Sequence, residues 1–158
     1  MSPRHDARRT DYARVVSDPA TLQYALWLFT ILLVGRVAGQ IVVAWWAPRW
    51  LPPMAQWQSG LLPYPALLAG QAAVLTVMIW ISLDFSKGAG YWVAPHPRLG
   101  LAAVWWSYLY AGTMIARAIV RMTRPPDQRW TGGAIPIVFH LVVAAFQWTF
   151  GMYQITLR

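Results

Sequence analysis

The sequence contains no cysteine and no glutamate, and only 11% of its 158 residues carry charge. Without cysteine, the chain can form neither a disulfide scaffold nor a thiolate metal site. A soluble domain of this size has about a quarter of its residues charged, so too few polar side chains remain here to cover one soluble core. The 58% hydrophobic content excludes a disordered chain. These features together indicate a small integral membrane protein.

Four apolar segments are long enough to cross a bilayer, since about 20 helical residues span a hydrocarbon layer of about 30 Å. Lipid offers no hydrogen-bond partner to an exposed backbone group, so each segment is predicted to be helical. The predicted spans are residues 22–46, 61–83, 99–122 and 134–155. The sequence therefore predicts an all-α integral membrane bundle of four transmembrane helices with short loops. This bundle occupies residues 20–158 and follows a polar N-terminal tail, residues 1–19.

The charge is strongly positive, with 13 Lys and Arg against five Asp. Most of the arginines lie near the ends of spans, where they suit lipid phosphates better than nucleic acid. We therefore expect phospholipids as partners and no nucleic acid. Four spans put both termini on one side, and that side carries the larger number of basic residues. By the positive-inside rule, we expect the termini to lie in the cytoplasm. We expect the membrane to be the bacterial inner membrane.

Arg36 lies near the middle of the first span, with Gln40 one turn further along. An ionisable group at this depth costs a few kcal/mol or more, and no acid elsewhere in the chain is expected at matching depth. Arg36 therefore either meets a carboxylate of another subunit, a lipid phosphate or a cofactor oxygen, or it snorkels to the interface, or the helix sits off-centre in the membrane. Gly35 and Gly39 flank it as a pair of small residues that lets a second backbone approach. We interpret these four residues as a partner- or lipid-binding face, with ordinary packing inside the bundle as the alternative.

Arg117, Arg121 and Arg124 follow one another at i, i+4 and i+7, so they share one face at the end of the third span. Three guanidinium groups can hold a phospholipid headgroup by forked hydrogen bonds. They can equally meet an acidic rim on a partner protein, and the alternative to both is a plain solvated helix end. We expect a contact with lipid or with a partner.

His140 lies inside the fourth span and shares a helical face with Ala144 and Trp148. A neutral imidazole can ligate a metal, and a small residue one turn away leaves room for a flat macrocycle. The spacing is similar to that of bacterial light-harvesting polypeptides, which place a ligand His beside small residues and a nearby Trp. The resemblance covers a short stretch, and Pro136 stands where those polypeptides have a small residue. It implies that His140 and Trp148 contact a chlorophyll-type pigment. The chemistry of the imidazole also allows a haem at His140, and a quinone near His140 is a third candidate. The alternative is a histidine hydrogen-bonded to a neighbouring helix.

Catalytic motifs are missing from the sequence: it has no H-E-x-x-H, no G-x-S-x-G and no phosphate-binding glycine loop. We therefore predict that the chain is not an enzyme. The predicted function is that of an accessory or structural subunit of a larger bacterial-type membrane complex, respiratory or photosynthetic. Such a subunit packs against other transmembrane subunits and holds lipid or pigment. One alternative is a haem- or chlorophyll-binding membrane protein that uses His140. Another is a small lipid- or quinone-modifying enzyme with Asp84, Arg117 and Arg121 near a headgroup.

Overall fold

The computed structural model describes residues 18–57, 63–123 and 134–157, and within these ranges the regular structure is entirely helical. The helices are α1 (Pro19–Trp46), the short α2 (Met54–Trp57), α3 (Tyr64–Lys87), α4 (Pro97–Met122) and α5 (Ala134–Thr156). Four of them, all except α2, are long and apolar enough to cross a membrane. The predicted class, a helical membrane bundle with four spans, is thereby confirmed. The predicted polar tail lies almost entirely outside the described residues.

The start of α1 is fixed by a local cap that the sequence indicates. The Asp18 carboxylate accepts hydrogen bonds from the Ala20 N–H (3.1 Å) and from the Thr21 hydroxyl (2.7 Å). These bonds, with that from Thr21 the stronger influence, hold the pKa of Asp18 below its usual value. Pro19 occupies the first turn, where its missing N–H is not needed. The helix therefore begins three residues before the predicted span.

The four spans are held together by three unequal pairings. The longest contact runs between α4 and α5, whereas α1 packs against both α3 and α5. Gly100 and Gly151 bring α4 and α5 together, since a Cβ atom added at Gly151 would lie 2.8 Å from the Gly100 carbonyl oxygen. By contrast, α3 and α4 make little direct contact. A cleft consequently separates them along part of their length.

The connection between α3 and α4 is tied down onto α5. Gln154, which is 0% exposed, accepts from the His96 N–H (2.7 Å) and donates to the Trp92 carbonyl. The Trp92 N–H in turn donates to the Asp84 carboxylate (3.2 Å), and the Tyr153 hydroxyl donates to the Val93 carbonyl (3.1 Å). These bonds place the indole of Trp92 at one end of the cleft, against Phe150.

Candidate binding cavity within the bundle

Arg36 is buried inside the chain's own bundle, with only 4% of its surface exposed. Its Nη1 donates to the Gln40 side-chain oxygen (3.3 Å), and its Nη2 donates to the Trp57 carbonyl (3.1 Å). The guanidinium carbon also lies 5.7 Å from the centre of the Phe139 ring. All of these neighbours are neutral. Arg36 therefore does not snorkel to the interface but remains within the helix bundle.

The carboxylates of the described residues are remote from this cation. Only Asp18 and Asp84 fall within the described ranges, and Asp18 precedes Arg36 on α1 by about 27 Å of helix rise. Asp84 lies at the same end of the bundle as Asp18, because α3 runs antiparallel to α1. The Arg36 Nε–H has no hydrogen-bond acceptor among the described residues. A buried cation with only neutral partners is costly. The described residues around Arg36 therefore leave its charge without a counterion.

The short helix α2 supplies part of the Arg36 environment. The Trp57 indole donates to the Pro52 carbonyl (2.9 Å), which folds α2 back onto α1. Gly39 leaves the space for this indole, because a Cβ atom there would lie 2.8 Å from the Trp57 ring. The predicted close approach at Gly39 is therefore made by the chain's own Trp57. A Cβ atom at Gly35 would meet nothing within 4 Å, so that position remains open.

Arg36 lines a cavity of about 260 Å³ to which each of the four spans contributes a polar side chain. These four side chains are Arg36 from α1, Gln71 from α3, Tyr110 from α4 and His140 from α5. The Gln71 side-chain oxygen is buried and has no donor among the described residues. The Tyr110 and His140 rings lie 5.4 Å apart with planes inclined by 33°. The arrangement gathers hydrogen-bonding groups around one partly open cavity, whose wall also includes the exposed residues Ala66 and Gly70.

The orientation of His140 is set by its own helix. Its Nδ1 lies 2.6 Å from the Pro136 carbonyl oxygen. A carbonyl oxygen only accepts, so Nδ1 carries a proton, and in the neutral ring Nε2 keeps its lone pair. His140 can therefore accept a hydrogen bond or ligate a metal through Nε2.

A second, larger cavity of about 620 Å³ occupies the cleft between α3 and α4, with α5 as its floor. Its walls are mostly apolar; Ala73, Val77, Leu99, Ala102 and Trp106 line it and are also exposed at the side of the bundle. Val74 and Val143 line both cavities, so the polar cavity and the cleft are adjacent. The polar cavity thus lies next to a mostly apolar cleft, and the cleft is open at the side of the bundle that would face lipid.

The remaining predicted site residues are distributed around the bundle. Arg117 and Arg121 are half-buried near the end of α4, and Arg124 lies outside the described residues. Trp148 donates to the Tyr108 hydroxyl (3.2 Å) in a separate groove that Ala144 also lines. His140 and Trp148 thus line different cavities.

The alternative of a lipid- or quinone-modifying enzyme requires Asp84, Arg117 and Arg121 near one headgroup, and the structure does not bring Asp84 close to Arg117. Asp84 lies beside the connection that leads into α4, whereas Arg117 follows the start of α4 by about 30 Å of helix rise. The two side chains therefore occupy opposite ends of the bundle, too far apart to act on one headgroup.

Gln71, Tyr110 and the Trp57 carbonyl were not among the predicted site residues. Gln71 and Tyr110 carry a signal in the sequence, since both are polar groups within apolar spans. No sequence signal points to the Trp57 carbonyl, because its contact depends on how α2 folds back. Comparison of the chain with protein families, with curated proteins and with solved structures finds no match.

Proposed function

We propose that the chain is a non-catalytic membrane subunit that holds a lipid-soluble molecule inside its own bundle. The observation that carries this proposal is Arg36, which is 4% exposed and contacts only neutral groups in the described part of the chain. A polar headgroup entering the 260 Å³ cavity would bring hydrogen-bond acceptors to this cation. The apolar remainder of the molecule would lie in the adjacent cleft.

The cleft has the dimensions and chemistry of a small-molecule site. Its 620 Å³ falls within the range of about 300–1,000 Å³ that is typical of such sites. Ligand pockets are mostly apolar with a few convergent polar groups, which matches the apolar cleft and the four polar side chains at its end. Entry from the lipid between α3 and α4 requires no aqueous path.

The proposed role is a passive one, carried out within a larger assembly. His140 is oriented by a backbone carbonyl rather than by a carboxylate, so this contact does not provide the charged orienting partner of many catalytic histidines. Gly35 and Gly112 leave open space beside α1 and α4, which favours the close approach of helices from other subunits. We propose a respiratory or photosynthetic complex of the bacterial inner membrane as the host, with the chain's termini on the cytoplasmic side.

The test is to purify the full chain in mild detergent and to identify retained small molecules by mass spectrometry. The matched variants are Arg36→Gln and Arg49→Gln, which remove the same charge from a buried and from an exposed position. We expect one enriched species in the wild-type chain and in Arg49→Gln, and its loss in Arg36→Gln. Recovery of nothing beyond membrane lipids in their bulk proportions would contradict the proposal.

A haem- or chlorophyll-type cofactor is the second candidate, favoured by His140 at the wall of the cavity, since its Nε2 has no partner among the described residues. Such a cofactor gives the purified chain a visible absorption spectrum, and His140→Ala should abolish or shift it. A colourless preparation from the native membrane would exclude this candidate while leaving the lipid-soluble ligand in place.

A further inference from the structure

We infer that the molecule held beside Arg36 is a single-chain lipophilic acid, with its carboxylate on the guanidinium and its hydrocarbon chain in the cleft between α3 and α4. This inference rests on the proposed function and narrows it to one class of ligand. It follows from the unused donors of Arg36, from its depth, and from the shape of the adjoining space.

The donors of Arg36 match a carboxylate. A guanidinium has five N–H donors, and the described contacts of Arg36 use one on Nη1 and one on Nη2. The Nε–H has no acceptor among the described residues. The Nε atom itself is buried, so a carboxylate in the cavity would accept from the remaining Nη–H groups, in the forked geometry that arginine favours. A neutral carbonyl could accept one of these bonds but would leave the buried charge without a counterion.

The depth of Arg36 favours a ligand with one slender chain. Arg36 precedes Trp46, the last residue of α1, by ten positions, or about 15 Å of helix rise. The whole of α1, with 28 residues, is about 42 Å long, so Arg36 lies about 5 Å from its middle. A helix centred on a hydrocarbon core of about 30 Å would therefore carry Arg36 well inside that core. The polar cavity and the cleft meet at Val74 and Val143. A two-chain phospholipid would have to bring both of its chains past these residues, whereas a carboxylate on a single chain has the smaller cross-section.

The walls of the cleft suit a flexible hydrocarbon chain. Small side chains, those of Ala73, Ala102 and Ala103, widen the space between α3 and α4, and Trp92 lies at the end formed by the connection between these helices. Val74 and Val143 line the junction with the polar cavity. In the polar cavity, the Tyr110 hydroxyl can donate a further hydrogen bond to the head oxygens. The ligand thus has a charged end at Arg36 and a mostly apolar path towards Trp92, with Gln147 as the polar residue along it.

The experiment measures retention of radiolabelled oleic acid by the delipidated full chain, captured on a resin in mild detergent. Unlabelled oleic acid, oleyl alcohol, a decyl-substituted quinone and a phospholipid serve as competitors. We expect the acid to displace the label at least tenfold more effectively than the alcohol, the quinone or the phospholipid. This comparison uses the wild-type chain alone, so it does not depend on the folding of any variant.

Two pairs of variants locate the bound acid. Arg36→Gln should lower retention about tenfold or more, equivalent to about 1.4 kcal/mol, whereas Arg49→Gln should leave it unchanged. Ala73→Phe narrows the cleft and should also lower retention, while Ala72→Phe, at the next position but outside the cleft, should not. If Arg36→Gln does not fold, the cleft pair still tests the path of the chain.

The outcomes separate the inference from the proposed function. If the quinone and the alcohol compete as well as the acid, the inference of an acidic ligand is wrong. The proposed function, which requires only a lipid-soluble ligand, would still hold. Stronger displacement by the phospholipid would assign the cavity to a phosphodiester and would likewise overturn the acid. If neither the labelled acid nor any competitor binds, both the inference of an acidic ligand and the proposed function are wrong.

Discussion

The Nη2 of Arg36 donates a hydrogen bond to the carbonyl oxygen of Trp57, 3.1 Å away. This contact joins the middle of the first span to the connection that follows it. The Trp57 indole sits against Gly39, one turn after Arg36 on α1. The position of the buried cation therefore depends on a glycine that touches neither the cation nor the cavity.

Substitution of Gly39 should consequently disturb the site from a distance. In Gly39→Val, the new side chain would meet the Trp57 ring, displace α2 and lengthen the Arg36 contact. We expect a loss of about 1–3 kcal/mol, the usual cost of overpacking, measured by thermal unfolding in detergent. Retention of the bound molecule should fall as well.

Gly35→Val is the matched control, since a Cβ atom at Gly35 meets nothing within 4 Å. The isolated chain should tolerate this change within about 0.5 kcal/mol. Equal destabilisation by the two substitutions would show that Trp57 does not pack on Gly39 as described.

The contact between α4 and α5 should be sensitive to any side chain at Gly151. A Cβ atom there would lie 2.8 Å from the Gly100 carbonyl and 2.8 Å from the Val104 side chain. Because backbone cannot move aside as a side chain can, Gly151→Val should cost about 3 kcal/mol or fail to fold. Gly112→Val, on an open face of α4, should unfold at nearly the wild-type temperature. Tolerance of Gly151→Val would contradict the close approach of these two helices.

The two hydrogen bonds between Gln154 and the connection from α3 to α4 should contribute strongly to stability. Gln154→Ala leaves the His96 N–H and the Trp92 carbonyl without their partner. Each fully buried unsatisfied group costs about 1–3 kcal/mol. Because the His96 N–H and the Trp92 carbonyl are only partly buried, we expect a loss towards the lower end of the sum, about 2–4 kcal/mol, in thermal unfolding. The control is Gln23→Ala, which removes a bond within the first turn of α1 and should have little effect. Faster hydrogen exchange at His96 in the Gln154 variant would report the same release, and unchanged exchange would argue against it.

Bound acid should stabilise the wild-type chain by mass action. At a free ligand concentration of about 100 times the dissociation constant, the gain is about 2.7 kcal/mol. The unfolding temperature should therefore rise with added oleic acid in the wild type and in Arg49→Gln but not in Arg36→Gln. A parallel rise in all three would assign the effect to the detergent phase rather than to the cavity.

The spans were predictable because each is a continuous apolar segment of sufficient length, and the start of α1 was predictable because Asp18 and Pro19 act locally. The cavity was not predictable in the same way. Gln71 and Tyr110 line one cavity with Arg36 and His140 because of how the four spans pack, with little direct contact between α3 and α4. The outer faces of membrane helices are as apolar as their packed faces, so the sequence pattern alone does not specify which helices touch. Arg36 was singled out by the cost of its charge, but the carbonyl that holds it belongs to a helix of four residues that no pattern indicated.

The central claim is that the charge of Arg36 is balanced by a bound molecule and not by an acid of the same chain. Solid-state NMR can test it on protein labelled with ¹⁵N at arginine, in bilayers that contain oleic acid labelled with ¹³C at the carboxyl carbon. The account predicts dipolar coupling between this carbon and a guanidinium nitrogen, lost in Arg36→Gln and kept in Arg49→Gln. Coupling of the Arg36 nitrogens to a ¹³C-labelled aspartate of the chain, such as Asp127 outside the described residues, would contradict it.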